Sequence, residues 1–465
     1  MTVSKFDCLN RFIVADSSFY RRALLLVLPV VLQNIINQGV NMMDTVMIGQ
    51  LGEAAISASS LANQFYQIFN FLCMGISAAG LVLASQYWGA NDKQTVKHVY
   101  DLCMQLVAAI GLGFSVVSMI FPEQIMAIYI SDSEVIQEGA KYLRVTAFIY
   151  LPHGLSLVMA NIVRSIGNAK LGLIVSCLSF IINIGANYVF IFGKLGMPAM
   201  GVMGAAIGTL CARIVEFTVC VVYMLKVEKN LKYNFAGLLR LPAKALLKEF
   251  QRLGFPAIIS DTILGLAASA MSIVLGCMGK EVVSAYAIVT VLDRMCNVAT
   301  MGLSSAAAVM IGHTVGSGDF KRAQKEGWSF LAVSMGFGLL ASVLVLAVGI
   351  LSVDLYEITP DTRLIAISMM RASAIVVFFQ SIQSALSKGI LRGGGDTKFL
   401  MVADVIFQWC VSIPLGYLVG VVWKLPAFWV LIALRIDYII KVFWLAFRLK
   451  NGKWIHKAQD MRGSP

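Results

Sequence analysis

Apolar residues come in runs of about twenty, separated by short polar breaks, from near Ala23 to Phe447. A run of that length matches a helix crossing a bilayer core of about 30 Å. The pattern predicts spanning helices at roughly 23–48, 55–86, 97–120, 143–163, 170–192, 200–225, 252–278, 283–312, 327–350, 365–390, 398–422 and 427–447. That is an all-α polytopic membrane protein with about twelve transmembrane helices.

Loop charge tests the count. With twelve helices and both termini cytoplasmic, 26 of the 37 Lys and Arg residues fall on the cytoplasmic side. They include Lys5, Arg11, Arg21 and Arg22 before the first helix, seven cations between Lys226 and Arg252, and a basic tail from Arg448 to Arg462. The opposite loops are acidic, with Glu123, Asp132, Glu134 and Glu138 in one and Asp354, Glu357 and Asp361 in another. Cytoplasmic loops collect Lys and Arg, so count and orientation support one another.

An internal repeat organises the chain. An offset of 227 residues carries Pro29 onto Pro256, Gly49 onto Gly276, Gly52 onto Gly279, Asn70 onto Asn297, MGIS at 74–77 onto MGLS at 301–304, and Asp92 onto Asp319. At an offset of 228, RSIGNAK (Arg164–Lys170) meets RGGGDTK (Arg392–Lys398). Each half holds six helices, so both enter the membrane in the same sense, as in a parallel repeat. The expected lobes are 1–225 and 252–465 with its basic tail, joined by a cytoplasmic linker at 226–251.

Composition agrees: 58% of the 465 residues are hydrophobic and 13% charged, where soluble domains have nearer half and a quarter. The net charge of +12 is accounted for by topology, which argues against nucleic acid as a partner. The start, MTVSKFDCLNRFIVADSSFYRR, carries Asp7 and Asp16 inside a short apolar stretch and is not a signal peptide. None of the nine cysteines forms a CxxC pair and the four histidines are scattered, so neither a disulfide framework, a metal cluster nor a cofactor is expected. No Walker A loop and no catalytic constellation occur, which argues against ATP-driven transport by this chain alone and against an enzyme. Two similar bundles that rock about a central cleft are a general device for secondary transport.

LPVVLQNIINQGVNMMDTVMIGQLG in the first helix, GxxxAxxxxxSQYWGA at Gly75–Ala90 with its echo ending in IGHTVGSGD, RSIGNAK with RGGGDTK, and NIGANYVFIFGKLG (Asn183–Gly196) followed by GVMGAAIGT (Gly201–Thr209) together resemble the multidrug and toxic compound extrusion (MATE) family along the whole chain. The resemblance implies two six-helix lobes and export of organic, often cationic, compounds against inflow of H⁺ or Na⁺.

Ionisable residues inside a membrane mark ion or substrate paths by default. Those within the predicted spans are Asp44, Arg213, Glu216, Asp261, Asp293, Arg294, Asp404, Arg435, Asp437 and Lys441. Asp44 matches the first-helix acid of the family, whose polar partners fall here on Asn183, Asn187 and Thr209. Asn183 and Asn187 share one helix face at i,i+4. A carboxylate, two amides and a hydroxyl suit Na⁺ or an exchangeable proton equally. Some relatives carry a second acid at the Asn187 position. The repeat mates of Asp44, Asn183 and Asn187 are Met271, Cys410 and Pro414, so this cluster is confined to one half.

Asp261 stands one turn before a family acid position, where it meets either substrate or a neighbouring cation such as Arg294 or Arg435. Asp293, Asp404, Arg435 and Asp437 fit a salt-bridge network as well as a substrate path, and Arg213 and Glu216 at i,i+3 are expected to pair. Gln33, Asn37, Gln64, Tyr66, Asp261 and Asp293 are the candidate cleft residues for substrate. The expected partners are the bilayer and small organic substrates, with the protein a monomer in a prokaryotic plasma membrane. The main reading is an H⁺- or Na⁺-coupled exporter of amphiphilic cations. A flippase for a lipid-linked precursor is the alternative, disfavoured because acids outnumber any arginine cluster in the predicted cleft.

Overall fold

The structure is a computed structural model describing residues 13–458 except 15, 52, 235–236, 239, 241 and 354–357. Gly52, Cys8, Asp7, Asp354, Glu357 and the cations Lys5, Arg11 and Arg462 therefore lie outside the described residues.

Most of the described residues are helical, and none of them is in a strand. Among the described residues, ten helices are long and apolar enough to cross a membrane. They are α1 (Ser17–Gly49), α2 (Glu53–Gly89), α3 (Lys93–Ile120), α6 (Lys170–Phe192), α7 (Gly201–Val227), α8 (Lys244–Gly276), α9 (Lys280–Ser317), α10 (Phe320–Gly349), α11 (Pro360–Leu391) and α12 (Thr397–Val422). Between α3 and α6, α4 (Ser133–Thr146) and α5 (Tyr150–Ser165) are long and apolar enough only when taken together, and the pair is bent by 52°. Pro152 explains the bend: its ring cannot sit beside the carbonyl four residues back and it offers no N–H, so the helix breaks just before it. The twelfth expected segment is α13 (Ala427–Leu434) and α14 (Ile436–Lys450), interrupted at Arg435 (φ −120°, ψ 12°).

The described residues divide into two compact units. One comprises residues 13–31, 85–91 and 251–458; the other, 32–84 and 92–250. The first has a core of Met271, Val289, Met369, Met370, Leu431 and Leu434 with their neighbours. The second is centred on Met47, Ala58, Ala62, Met126, Leu143 and Ala206. Leu24, Leu25, Ile181, Ile273 and Phe447 are among many large apolar side chains left exposed, as expected where lipid is the solvent.

The repeat recurs in local geometry. Pro29 lies inside α1 and Pro256 inside α8, both of 33 residues. Asp92 caps α3 by accepting from Thr95 N at φ −95°, ψ 73°; Asp319 caps α10 by accepting from Arg322 N at φ −85°, ψ 74°. RSIGNAK and RGGGDTK make one turn twice. Gly167 and Gly395 are left-handed at φ 92° and 89°, a conformation that glycine adopts without a Cβ clash. Asn168 N donates to Val163 O (3.2 Å) as Asp396 N donates to Leu391 O (3.0 Å).

Candidate functional site

Asp44 sits on the last turns of α1 in the second unit, half-buried. The NIGAN stretch of α6 places Asn183 and Asn187 one turn apart on a single face, and both are buried. Asn187 Nδ2 donates to Asp44 Oδ1 at 2.6 Å and also reaches Asn183 Oδ1 at 3.3 Å. Asn183 Nδ2 donates in turn to Thr209 Oγ1 at 3.4 Å, and Thr209 Oγ1 donates to Ala205 O at 3.1 Å. The structure thus brings together the four residues expected to form the ion site, from α1, α6 and α7. The close approach of α6 and α7 depends on Gly208, where a Cβ would strike the Asn187 side chain. Asn187 Oδ1 is buried with no hydrogen-bond partner. The cluster therefore holds carboxylate, amide and hydroxyl oxygens with one acceptor spare, which suits a proton or a small hard cation.

On the Val227 side of Thr209, the same face of α7 carries Arg213 and Glu216. Their expected pairing is present, with Arg213 Nη1 to Glu216 Oε2 at 2.6 Å.

The candidate cleft residues are dispersed. Gln33 accepts from Arg164 Nη2 at 2.8 Å. Asn37 and Gln64 are exposed on α1 and α2. Tyr66 packs against His153 with ring centroids 5.6 Å apart, its hydroxyl buried. These four belong to the unit that holds Asp44, whereas Asp261 and Asp293 belong to the other. Asp261 is gripped by the fork of Arg392, with both contacts at 3.1 Å, rather than by Arg294 or Arg435. Arg392 is the repeat mate of Arg164, and both brace the first helix of their own half. Asp293 accepts from Ser373 Oγ at 2.5 Å. Arg435 instead bonds the hydroxyls of Tyr438 (2.8 Å) and Tyr286 (3.2 Å).

Asp404 and Asp437 share the fully buried Lys441, at 2.8 and 3.1 Å, while Ser260 donates to Asp404 and Ser412 to Asp437. Every carboxylate oxygen of that pair has a donor, so this network ties α8, α12 and α14 together as a structural element. Sequence reasoning overlooked Arg392 as the partner of Asp261. The available signal was its place at the head of the repeated R–x₃–[ND] turn, opposite Arg164.

A family model described as MatE matches residues 29–189 and again 256–418. The two matches start at Pro29 and Pro256, the pair that opens the repeat. Among curated proteins, the chain is 28% identical over 408 residues to the probable multidrug resistance protein NorM of Agrobacterium fabrum, covering 86% of this chain and 87% of that one. It is 22% identical over 436 residues to the multidrug resistance protein MdtK of Yersinia pseudotuberculosis, covering 91% and 95%. Among solved structures, the fold matches the Vibrio cholerae MATE transporter VcmN in its bent form with a TM-score of 0.85 at 16% identity, covering 95% of this chain and 99% of that one. It also matches a MOP superfamily transporter of Pyrococcus furiosus, with a TM-score of 0.83 at 17% identity over 97% and 100%. The expected two-lobe, multi-pass helical fold is confirmed, and the bacterial relatives accord with the inner membrane as its location.

Proposed function

The chain belongs to the MatE family, and on that premise we propose that it is a secondary antiporter exporting organic, cationic amphiphilic compounds in exchange for H⁺ or Na⁺. The relatives named for multidrug resistance support export of such compounds. The single observation that carries the coupling role is the bond from Asn187 to Asp44, which joins an intramembrane carboxylate to the Asn183–Thr209 chain. In this reading Asp44 alternates between an ion-loaded or protonated state and a bare state. Asn187 donates to the bare carboxylate, Asn183 and Thr209 continue the chain behind it, and the spare Asn187 Oδ1 meets the ion or the carboxyl proton. Alternating access follows from rocking of the two lobes, 1–225 and 252–465, about the 226–251 linker, with both termini cytoplasmic. Gln33, Asn37, Gln64 and Tyr66 contribute polar contacts to substrate in the Asp44 lobe. Asp261 and Asp293 do so in the other lobe only if they leave Arg392 and Ser373. The protein acts as a monomer without cofactor and is not an enzyme.

Ethidium efflux from proteoliposomes tests this, with a pH gradient and a Na⁺ gradient imposed separately. One gradient should drive efflux, and Asp44→Asn should reduce it at least tenfold with the protein still monodisperse. Efflux unchanged in Asp44→Asn overturns the coupling role. No dye movement under either gradient overturns the multidrug reading and makes a lipid-linked substrate the next to assay.

A further inference from the structure

Ser85, Gln86 and Gly89, on the last turns of α2, have Gly312, His313 and Gly316 of α9 as their mates at the offset of 227. The two sets meet. A Cβ at Gly89 would strike the His313 carbonyl, one at Gly316 the Gln86 carbonyl, and one at Gly312 the Ser85 hydroxyl. The contact is self-complementary: Gly89 meets the mate of Gln86, and the mate of Gly89 meets Gln86, as a two-fold relation requires. Small residues let the two backbones touch, and Ser85 and Gln86 are buried. Residues 85–91 belong with 251–458 in one unit, although the rest of α2, 53–84, belongs to the other.

The chain beyond α14 fastens this seam. It is anchored first within its own half. Gln324 Nε2 of α10 donates to Leu449 O at 2.6 Å, Trp454 Nε1 donates back to Gln324 Oε1 at 2.9 Å, and His456 N donates to Gly394 O of the RGGGDTK turn at 2.7 Å. Trp454 lies directly on Gly394, where a Cβ would strike its ring. Past these anchors, Ala458 N donates to Gln86 Oε1 at 2.7 Å, and Gln86 Nε2 donates to Gly393 O at 3.1 Å. One buried carboxamide of α2 is therefore held from both ends, by the tail and by the turn on which the tail lies.

Alternating access requires α2 and α9 to part here at some stage of the cycle. The anchors of the tail on α10 and on the 392–398 turn need not change when they do. Gln86 alone has to give up its two bonds, and a two-state equilibrium is biased by the free energy of the contacts that only one state makes.

We propose that residues 449–458 are a latch: with the termini cytoplasmic, they hold the cytoplasmic seam of α2 and α9 shut through Gln86 and disfavour the state open to the cytoplasm. This rests on the antiporter reading and its two rocking lobes.

The test labels a cysteine in the seam from the cytoplasmic face. Ser85→Cys is the common background, in inside-out vesicles, with a membrane-impermeant maleimide and the modified site read by mass spectrometry. Ala458→Pro removes only the N–H that the tail donates, and Gln86→Ala removes both bonds. Ala458→Pro should speed labelling about fivefold, the weight of one hydrogen bond, and Gln86→Ala should speed it further. Labelling at the background rate in Ala458→Pro, with the protein monodisperse, overturns the latch even if Gln86→Ala is labelled faster. In a second arm, Gln86→Cys and Ala458→Cys are bridged by a short bis-methanethiosulfonate. Bridging should stop gradient-driven ethidium efflux until a thiol reductant cuts the bridge, whereas wild type treated alike keeps its rate. Efflux that continues through a complete bridge also overturns the latch. If unbridged wild type moves no dye under either gradient, the antiporter reading falls, and the labelling rates still decide the latch.

Discussion

At Gly208 a hydrogen stands where any other residue would push a Cβ into the carboxamide of Asn187. Gly208→Ala adds no charge and removes no polar group. It should nevertheless displace the amide that holds Asp44 and lower gradient-driven efflux at least fivefold, measured beside Gly185→Ala as a control, since a Cβ at Gly185 meets open space. Asn187→Ala should act more strongly, because Asp44 then loses its 2.6 Å donor. A charge-assisted hydrogen bond of this kind contributes about 1.5–3 kcal/mol, which corresponds to a shift of several degrees in the thermal midpoint of detergent-solubilised protein.

The Asp44 cluster was legible in sequence. An acid in an apolar run is conspicuous, and helix periodicity alone puts Asn183 and Asn187 on one face. The grip of Arg392 on Asp261 was hidden because the two residues are 131 positions apart, and only tertiary packing decides which cation reaches an acid.

Among the elements, the helices were read nearly whole, since twenty apolar residues admit few alternatives in a bilayer. The interruptions were less visible. Hydropathy averages over a window, so the bend before Pro152 and the break at Arg435 vanish into the runs that contain them. The linker shows what packing adds. Tyr233 packs against Tyr100, with ring centroids 4.1 Å apart and the planes inclined at 60°, and donates to the buried Asp101, while Gln105 Nε2 donates to Leu238 O (2.8 Å) and Arg240 O (2.7 Å). A basic stretch that reads as a tether is thereby docked on α3.

Burial, together with the bond to Asp101, raises the Tyr233 pKa above the ordinary tyrosine value. The folded state therefore keeps its proton when the unfolded state has lost it. Its contribution to stability is complete below about pH 10 and declines as pH rises beyond that. Tyr233→Phe should leave Asp101 short of a donor, destabilise the fold by about 1–3 kcal/mol, and speed tryptic cleavage within 226–251. Unchanged cleavage would mean that the Tyr233 hydroxyl adds nothing to the docking.

For the whole molecule, the repeat is the feature that sequence disclosed best, because prolines, glycines and caps at fixed offsets record backbone geometry directly. The ends of the chain were not legible as structure. Trp454 is fully buried and its Nε1 donates to Gln324 Oε1 at 2.9 Å, while His456 N donates to Gly394 O at 2.7 Å. Trp454→Ala should lower the unfolding free energy by about 3–5 kcal/mol, the range for removing a buried aromatic. A thermal midpoint equal to that of wild type would show that the tail adds nothing to the fold.

The tail also has a bearing on how the molecule is made. Gln86, at the end of α2, donates to Gly393 O (3.1 Å) and accepts from Ala458 N (2.7 Å), a partner 372 residues further along. A ribosome delivers Ala458 only 372 residues after Gln86. The helix that ends beside Gln86 must therefore wait, its final carboxamide bonds unmade, until the whole of that intervening stretch has left the exit tunnel.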